Sequence, residues 1–369
     1  MPVPSAISDL STTPASNSPA GSETPSFIDD YLRTAFAFIR QTSDTATAAL
    51  PKAGGVLTGD LTLPSLNGGQ LAGHRNKLIN GDFSQNARAL TSVADDSYCL
   101  DRWYVLTETG NVTVGKLGDP ESGAPWGIRL TQPDATAKRI GFAQIIESRD
   151  IRQYASTAMN LSARLRLSTA ANIRYAVIEH TGTGNVVTSD VVNDWASATF
   201  TPSNFFIAGV NIISTGTIAP GAATWGSVSD WDALGADVRN VIVFIWTESQ
   251  VAQDVTLDCS RIQYEPGEVA TPHEWRINEL QLCQRYYCET RGSVTFTAAA
   301  ANNSAACSIF WPVEMRDTPA TTNAGGSITN ASSAVVDGIS KYGARYAIVA
   351  TAAGGCSVAN RVITASAEL

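Results

Sequence analysis

The sequence predicts a mainly β protein, and three observations support this prediction. Short runs of alternating apolar and polar residues, separated by Gly, Asn, Asp and Pro, recur through most of the 369 residues. Charged residues make up only 16% of the chain, so small polar residues must cover much of the surface. Helical spacing stands out in two stretches, 26–50 and 278–291. The length exceeds that of one ordinary core and predicts several domains.

Residues 1–25 are rich in Ser, Thr, Pro and Ala and poor in large apolar side chains. Such a segment buries too little surface to offset its loss of conformational entropy. We therefore predict a flexible attachment arm that binds another protein. The arm lacks the basic and apolar regions of a secretory signal, which predicts synthesis and folding in a cytoplasm.

Residues 26–50 carry a helical pattern that ends before Pro51. A heptad seam runs along it in alternating steps of four and three residues. The stronger half of the seam is Ile28, Leu32, Ala35 and Ile39. This spacing predicts a trimerisation stem shared by several copies of the chain. The alternative is an amphipathic helix that packs on its own chain.

Residues 51–75 form a Gly-rich linker that begins PKAGGVLTGDLTL. A Gly-Gly turn is predicted to open a strand there, and the small side chains leave little mass for a core within one chain. The pattern favours strands from several chains that wrap around one axis. It therefore agrees with a trimer.

Residues 76–277 contain about eight to ten short strands, and this spacing predicts a β-sandwich of the jelly-roll type. In LSARLRL, Leu161 and Leu165 fall on one face of a strand, and Arg164 and Arg166 fall on the other. One face is therefore predicted to be dry and the other wet. The clearest predicted strands are Trp103–Thr107, Gly127–Thr131, Gly141–Ile146, Leu161–Leu167, Ile173–Ile178, Phe205–Ile213, Val238–Trp246 and Val255–Tyr264.

Two motifs bracket this segment. The opening motif runs from Asn76 to Trp103, with Asn-Gly at Asn80 and a Tyr-Cys-Leu-Asp-Arg-Trp ending. The closing motif, IQYEPGEVATPHEWR, ends at Arg276, and its His273 departs from the usual Phe. Both resemble motifs of the jelly-roll modules of bacteriophage tail fibres and related virion appendages, which are similar to carbohydrate-binding modules. The element KAGGVLTGDL in the linker and WPVEMRDTPA further on resemble segments of the same fibres.

This resemblance implies a homotrimeric structural fibre of a bacteriophage virion. The arm would attach it to other virion proteins on the tail or neck, and it would be assembled in the cytoplasm of the bacterial host. A tail fibre of this kind is a receptor-binding protein that adheres to host surface polysaccharide. Two alternatives are a purely structural collar or neck fibre and a glycan-cleaving tail spike.

The C-terminal part completes this organisation. Residues 278–291, INELQLCQRYYCET, are predicted to form a connecting helix. Residues 292–369 are predicted to form a small β-rich tip domain. Few large apolar residues occur in the tip, which predicts that it needs contact with other subunits.

The sequence contains no pattern of catalytic residues, such as H-E-x-x-H, G-x-S-x-G or a Walker A loop, and only three histidines. We therefore predict a binding protein that is not an enzyme and needs no cofactor or metal. Carboxylate pairs such as Asp95 with Asp96, or Glu265 with Glu268, keep the glycan-cleaving alternative open. The net charge of −9 without a basic cluster argues against nucleic acid. No apolar run reaches the roughly 20 residues of a membrane span, so no membrane insertion is predicted.

A sugar site needs aromatic rings that stack on pyranose faces and polar groups that bind hydroxyls. The stretch TWGSVSDWD at 224–232 is loop-like and offers both. The predicted glycan contacts are Trp225, Trp231, Asp230, Asp232, Trp126 and Trp195. The alternative is that these tryptophans close the ends of the sandwich.

The six cysteines include no C-x-x-C pair. They are predicted to be buried thiols or, as a sharper hypothesis, to form disulfides once the particle reaches an oxidising medium. The candidates are Cys99, Cys259, Cys283, Cys288, Cys307 and Cys356.

Overall fold

The computed structural model describes residues 5–9, 11, 16, 28–48 and 73–369. The chain divides into two compact units, Met1–Leu63 and Pro64–Leu369. The predictions for the attachment arm and for most of the Gly-rich linker concern residues outside the described ranges and stay predictions. Within the described part of the arm there is a short 3-10 helix, Ile7–Asp9.

Helix α1 spans Ile28–Ala48 and agrees with the helical pattern predicted for the stem. Ion pairs one turn apart support it, with Arg33 Nη2 3.2 Å from Asp29 Oδ2 and Arg40 Nε 2.9 Å from Asp44 Oδ1. The predicted seam is exposed. Relative exposure is 52% at Ile28, 50% at Leu32 and 64% at Ile39, and Ala35 is exposed as well.

Twelve strands build a β-sandwich, which confirms the predicted mainly β fold class. They are β1 (Ser92–Val93), β2 (Ser97–Tyr98), β3 (Tyr104–Thr107), β4 (Val112–Glu121), β5 (Ala124–Thr131), β6 (Ile140–Ile146), β7 (Ala158–Leu167), β8 (Ile173–His180), β9 (Asn211–Ile218), β10 (Gly226–Ala233), β11 (Asn240–Thr247) and β12 (Thr256–Pro266). A short helix α2 (Ser148–Ile151) and a 3-10 turn (Arg152–Tyr154) join β6 to β7.

The strands form two antiparallel sheets of six strands each. The first, which we call the β12 sheet, has the order β1-β4-β5-β12-β7-β10, and the second, the β11 sheet, has the order β2-β3-β6-β11-β8-β9. From β5 onward the chain passes repeatedly from one sheet to the other, as it does in a jelly roll. The alternation predicted for β7 is present, because Leu161 and Leu165 are buried in the core between the sheets, whereas Arg164 and Arg166 lie on the opposite face.

The outer face of the β11 sheet is also buried. Phe244 and Trp246 of β11 lie under Phe205 and Phe206, and the rings of Phe205 and Trp246 stack at 5.3 Å. The prediction of a strand over Phe205–Ile213 was wrong for its first six residues, because β9 starts only at Asn211. The two phenylalanines instead belong to an irregular segment that covers the sheet. The unbroken apolar run of β11 is explained by these two dry faces.

The opening and closing motifs meet in a hydrogen-bonded cluster that we call the clasp. The Asn76 side chain donates to Ile262 O at 3.1 Å and accepts from the backbone amides of Leu78 and Tyr264 at 3.0 Å. The backbone N–H of Asn76 donates to Glu274 Oε2 at 2.7 Å. Gly81 is required in this cluster, since a Cβ there would lie 2.3 Å from Ile262 O.

A second layer of the clasp joins the opening motif to the helix that follows the sandwich. Arg276 donates to Leu78 O at 2.6 Å and pairs with Glu279 at 2.7 Å. The backbone N–H of Asn80 donates to Glu279, and Trp103 Nε1 donates to the backbone oxygen of Asn80 at 2.9 Å. The motif residues therefore close the sandwich.

Helix α3 (Glu279–Gln284) is shorter than the helix predicted over 278–291. Tyr287 begins a strand instead, because residues 287–298 pair with the last strand of the chain. The C-terminal strands are β13 (Tyr287–Ala298), β14 (Ser304–Phe310), β15 (Ala320–Ala324), β16 (Ser327–Thr329), β17 (Ala331–Ser340), β18 (Gly343–Ala350) and β19 (Gly354–Ser366). One sheet contains β13, β19, β15 and β16, and the other has the order β14-β18-β17.

The C-terminal region is fixed to the sandwich by buried charges. Glu368 forms ion pairs with Arg102 and, at 2.9 Å, with Arg88. The Arg102 guanidinium also lies 3.6 Å from the ring centre of Tyr286, whose hydroxyl donates to Glu147 at 2.7 Å. Arg102 is only 1% exposed. In the described part of the chain, no helix has the length and apolar character that crossing a bilayer requires.

Candidate functional site

A cleft of about 570 Å³ opens between the tip of the β4–β5 hairpin and the segment that follows β12. Its walls consist of an indole ring, two carboxylates and the backbone of the hairpin turn. The lining residues are Asp119, Glu121, Ser122, Gly123, Ala124, Pro125 and Trp275. The volume is in the range of small-molecule sites and would hold one or two sugar rings.

A bulge gives the hairpin tip its shape. The pairing of β4 with β5 shifts register between Gly118 and Glu121, and Asp119 within the shift has φ +43°. Bulges redirect side chains, and a non-glycine residue with positive φ stores strain that is common at binding sites. The turn itself is Ser122–Gly123, where glycine allows φ +79°. The bulge thus places Asp119 in the wall of the cleft.

Glu121 anchors the tip to the outer face of the β12 sheet. It accepts from Ser260 Oγ at 2.6 Å, Arg261 Nη2 lies 2.8 Å from it, and Arg164 Nε donates to it at 3.0 Å. Burial raises the pKa of Glu121, but the hydrogen bonds from Ser260, Arg261 and Arg164 together outweigh burial and lower it overall. Glu121 is therefore ionised at neutral pH and serves as a fixed acceptor.

Trp225 supports the same tip from the next part of the sheet. Its Nε1 donates to Pro120 O at 3.1 Å, and the guanidinium of Arg166 lies 4.5 Å from its ring centre. Asp258 holds that guanidinium at 2.6 Å and also pairs with Arg129 at 2.7 Å. This row of charges and the Trp225 ring fix the hairpin in place.

Trp275 forms the opposite wall, and 44% of its surface is exposed. The ring of His273 packs against it edge to face at 4.9 Å. The pKa of His273 is lowered to about 3, mainly by burial and to a smaller extent by the positive charges of Arg276 and Arg261. The imidazole is therefore neutral at physiological pH and gives the indole an uncharged support.

This arrangement suits a sugar. An exposed indole face stacks on the apolar face of a pyranose, and carboxylate oxygens accept hydrogen bonds from ring hydroxyls. Trp275 supplies the ring, and Asp119 and Glu121 supply the acceptors. All three are held by the β12 sheet or by the segment that leaves it, so the site is preformed.

The predicted segment 224–232 is mostly a strand and not a loop. Residues from Gly226 to Ala233 form β10 and pair with β7 at the edge of the β12 sheet. Trp231 is 47% exposed and lies on the same face as Trp225, but six residues of a strand separate them by about 20 Å. Ser and Asp made this strand look like a loop in the sequence.

The other predicted contacts are dispersed. Asp230 accepts hydrogen bonds from Tyr175 at 3.2 Å and from Ser214. Asp232 is exposed and accepts from the next backbone amide at 2.7 Å. Trp126 is 39% exposed, with Lys116 Nζ 3.7 Å from its ring centre. Trp195 packs against Phe205 at 5.6 Å in the cover of the β11 sheet.

Sequence reasoning missed Trp275 and Asp119. The signal for Trp275 was its place in the closing motif, between the matching residues Glu274 and Arg276. Nothing local marked Asp119, because its position depends on bonds from Glu121 to two distant strands.

The carboxylate pairs considered for glycan cleavage have other roles. Glu265 is fully buried and accepts from Arg75 at 2.9 Å and from Thr271 N at 2.7 Å. Asp95 accepts from the amide of Thr107 at 2.8 Å. No group of three or more His, Cys, Asp or Glu side chains among the described residues is arranged to hold a metal ion.

All six cysteines lie in the described part of the chain and are free thiols in this structure. Five are buried, and Cys307 is half-buried. Disulfide formation in an oxidising medium stays a prediction. Burial raises the pKa of the Cys99 thiol to about 12, so this thiol stays protonated and unreactive.

Comparisons with known proteins gave structural likenesses only. No family model and no curated protein matches the chain. The enzymatically active domain of tailspike protein 4 of bacteriophage CBA120 is 12% identical, with a TM-score of 0.33 over 52% of this chain and 22% of that one. The carbohydrate-binding module TmCBM61, solved with β-1,4-galactotriose, is 11% identical, with a TM-score of 0.31 over 52% and 99%.

A third similar structure contains the CBM22-1 and GH10 modules of Clostridium thermocellum endo-1,4-β-D-xylanase 10B with xylohexaose. It is 12% identical, with a TM-score of 0.30 over 50% of this chain and 30% of that one. This chain thus spans less than a third of the tailspike and xylanase chains. At identities of 12% or less, these likenesses say nothing about what this chain binds.

Proposed function

We propose that the protein is a glycan-binding structural fibre of a bacteriophage virion. The observation that carries the glycan-binding part is the cleft that sets the exposed ring of Trp275 opposite Asp119 and Glu121. The virion part rests on the motifs that resemble tail fibres. The residues of the opening and closing motifs form the clasp, so the resemblance covers residues on which closure of the sandwich depends.

The fibre is a homotrimer that adheres to host surface polysaccharide. The exposed seam of α1 supports this proposal, because Ile28, Leu32 and Ile39 would be buried between three copies. In the tip, Phe310 is 76% exposed and Tyr342 is 64% exposed, which fits the predicted contact with other subunits. The arm attaches the fibre to other virion proteins on the tail or neck, and assembly takes place in the host cytoplasm.

The cleft binds and does not cut. A glycosidase needs one carboxylic acid whose pKa is raised so that it can protonate the leaving group. The pKa of Glu121 is lowered instead, and its two oxygens are both occupied by arginine and serine donors. A collar fibre without a receptor is the alternative, and in it the cleft would be empty of any ligand.

Binding of the purified protein to polysaccharide from a susceptible host tests the proposal. Trp275→Ala should weaken binding by about fivefold or more, since loss of aromatic stacking on a buried sugar face costs about 1–3 kcal/mol. Trp231→Ala removes a tryptophan of similar exposure from β10 and should leave binding unchanged. The opposite pattern would place the site on β10, as the sequence predicted. Binding unaffected by either change would contradict both sites, and new reducing ends during incubation would contradict the non-enzymatic proposal.

A further inference from the structure

We infer that the cleft selects neutral glycans and rejects acidic ones through the carboxylate of Asp119. This inference rests on the proposed glycan-binding function and names the class of sugar that the same site takes.

The two carboxylates of the cleft differ in their surroundings. Arg164 and Arg261 both pair with Glu121 and together more than offset its charge, although neither arginine belongs to the lining of the cleft. Asp119 is exposed and forms no hydrogen bond or ion pair with another side chain in the described part of the chain. Among the residues that line the cleft, Asp119 is therefore the one whose negative charge no arginine pairs with.

The rest of the lining does not offset this charge. Trp275 is uncharged, and His273 behind it is neutral at physiological pH. The other lining residues, Ser122, Gly123, Ala124 and Pro125, are uncharged as well. A sugar that stacks on the Trp275 ring therefore meets the carboxylate of Asp119, which can accept hydrogen bonds but cannot donate them.

This acceptor distinguishes sugars by their charge. A carboxylate accepts hydrogen bonds from two hydroxyls of a neutral sugar, but it has no proton to donate to another carboxylate. Two like charges about 5 Å apart at a wet surface repel enough to weaken binding by about five- to tenfold.

The experiment uses the full-length protein and an array of gluco-, galacto- and manno-oligosaccharides. Each is paired with its counterpart in which the C6 hydroxymethyl groups are oxidised to carboxylates. Wild type should bind a neutral member at least about fivefold more tightly than its acidic counterpart. The preference should shrink when salt is raised to about 0.5 M, because the repulsion is screened.

Asp119→Asn should reduce the preference below about twofold, mainly by tighter binding of the acidic member, because the amide can donate a hydrogen bond to a carboxylate. Asp237→Asn is the matched control, since Asp237 is an exposed aspartate outside the cleft. It removes the same charge from the chain and should leave the preference unchanged.

Three results would overturn the inference. They are acidic members that bind wild type as tightly as neutral ones, an Asp119→Asn variant with the wild-type preference, and an equal effect of Asp237→Asn. In each case, binding that still depends on Trp275 leaves the proposed function standing. If no member binds in a manner that depends on Trp275, the proposed function itself fails and the inference fails with it.

Discussion

The clasp makes a quantitative prediction for Asn76→Ala. The side chain of Asn76 satisfies three backbone groups, namely the amides of Leu78 and Tyr264 and the carbonyl of Ile262. Asn76 is only 3% exposed, so water reaches these groups poorly once the side chain is gone. A buried polar group without a partner costs about 1–3 kcal/mol. With partial entry of water, we expect the free energy of unfolding to fall by about 3–5 kcal/mol.

Thermal unfolding followed by near-ultraviolet circular dichroism and by calorimetry measures this loss. For a domain of about 200 residues, 1 kcal/mol shifts Tm by about 2–4 °C, so Tm should fall by about 6–20 °C. Asn111→Ala is the control, because the Asn111 side chain makes an exposed bond to Ser92 Oγ. It should change the free energy of unfolding by about 0.5 kcal/mol or less. If the two variants unfold within about 2 °C of each other, the three bonds do not hold the sandwich closed.

Three further predictions concern other parts of the molecule. Glu368→Ala leaves the buried guanidinium of Arg102 without its carboxylate, so we expect a loss of about 3–5 kcal/mol and faster release of the C-terminal region in limited proteolysis; an unchanged cleavage rate would contradict this role. The pKa of His273 is lowered from 6.5 to about 3. Between these two pH values His273 is protonated in the unfolded chain and neutral in the folded chain, so the free energy of unfolding decreases as the pH falls from about 6.5 towards 3. His273→Phe should therefore flatten the fall in Tm between about pH 7 and pH 4, and a slope equal to that of wild type would argue against the buried neutral imidazole. Replacing both Leu32 and Ile39 with Asp should convert a trimer into a monomer in light scattering, because two charges per chain would enter the seam; an unchanged mass would show that the seam does not join the chains.

The sequence was most informative where the burial pattern of a strand or helix follows from its own residues. Alternation in β7 predicted which side chains enter the core, and this was correct for Leu161 and Leu165. The continuous apolar run of β11 predicted its strand, and the structure explains the run by the cover that includes Phe205. The bracketing motifs also marked the two ends of the sandwich, although the sequence did not show that Asn76 and Glu274 are bonded to each other.

The sequence was least informative where position depends on distant partners. Residues 287–291 have helical spacing but pair with β19, and the sheet outweighs the local preference. The segment of Trp231 was taken for a loop because Ser and Asp are frequent in it, yet it is an edge strand held by β7. The cleft arises from the bonds of Glu121 to Arg164 and Arg261, which no local pattern reveals.

The clasp also has a consequence for the order of events on the ribosome. Glu274 and Glu279 are translated 198 and 199 residues after their partners Asn76 and Asn80. The nascent chain therefore carries the earlier strands for many seconds, at about 5–20 residues per second, before the sandwich can close. During that interval the unpaired edges of the strands are exposed, and neighbouring ribosomes on one messenger RNA bring copies of the chain together. We expect high expression rates to favour aggregates, and slower translation before residue 274 to increase them.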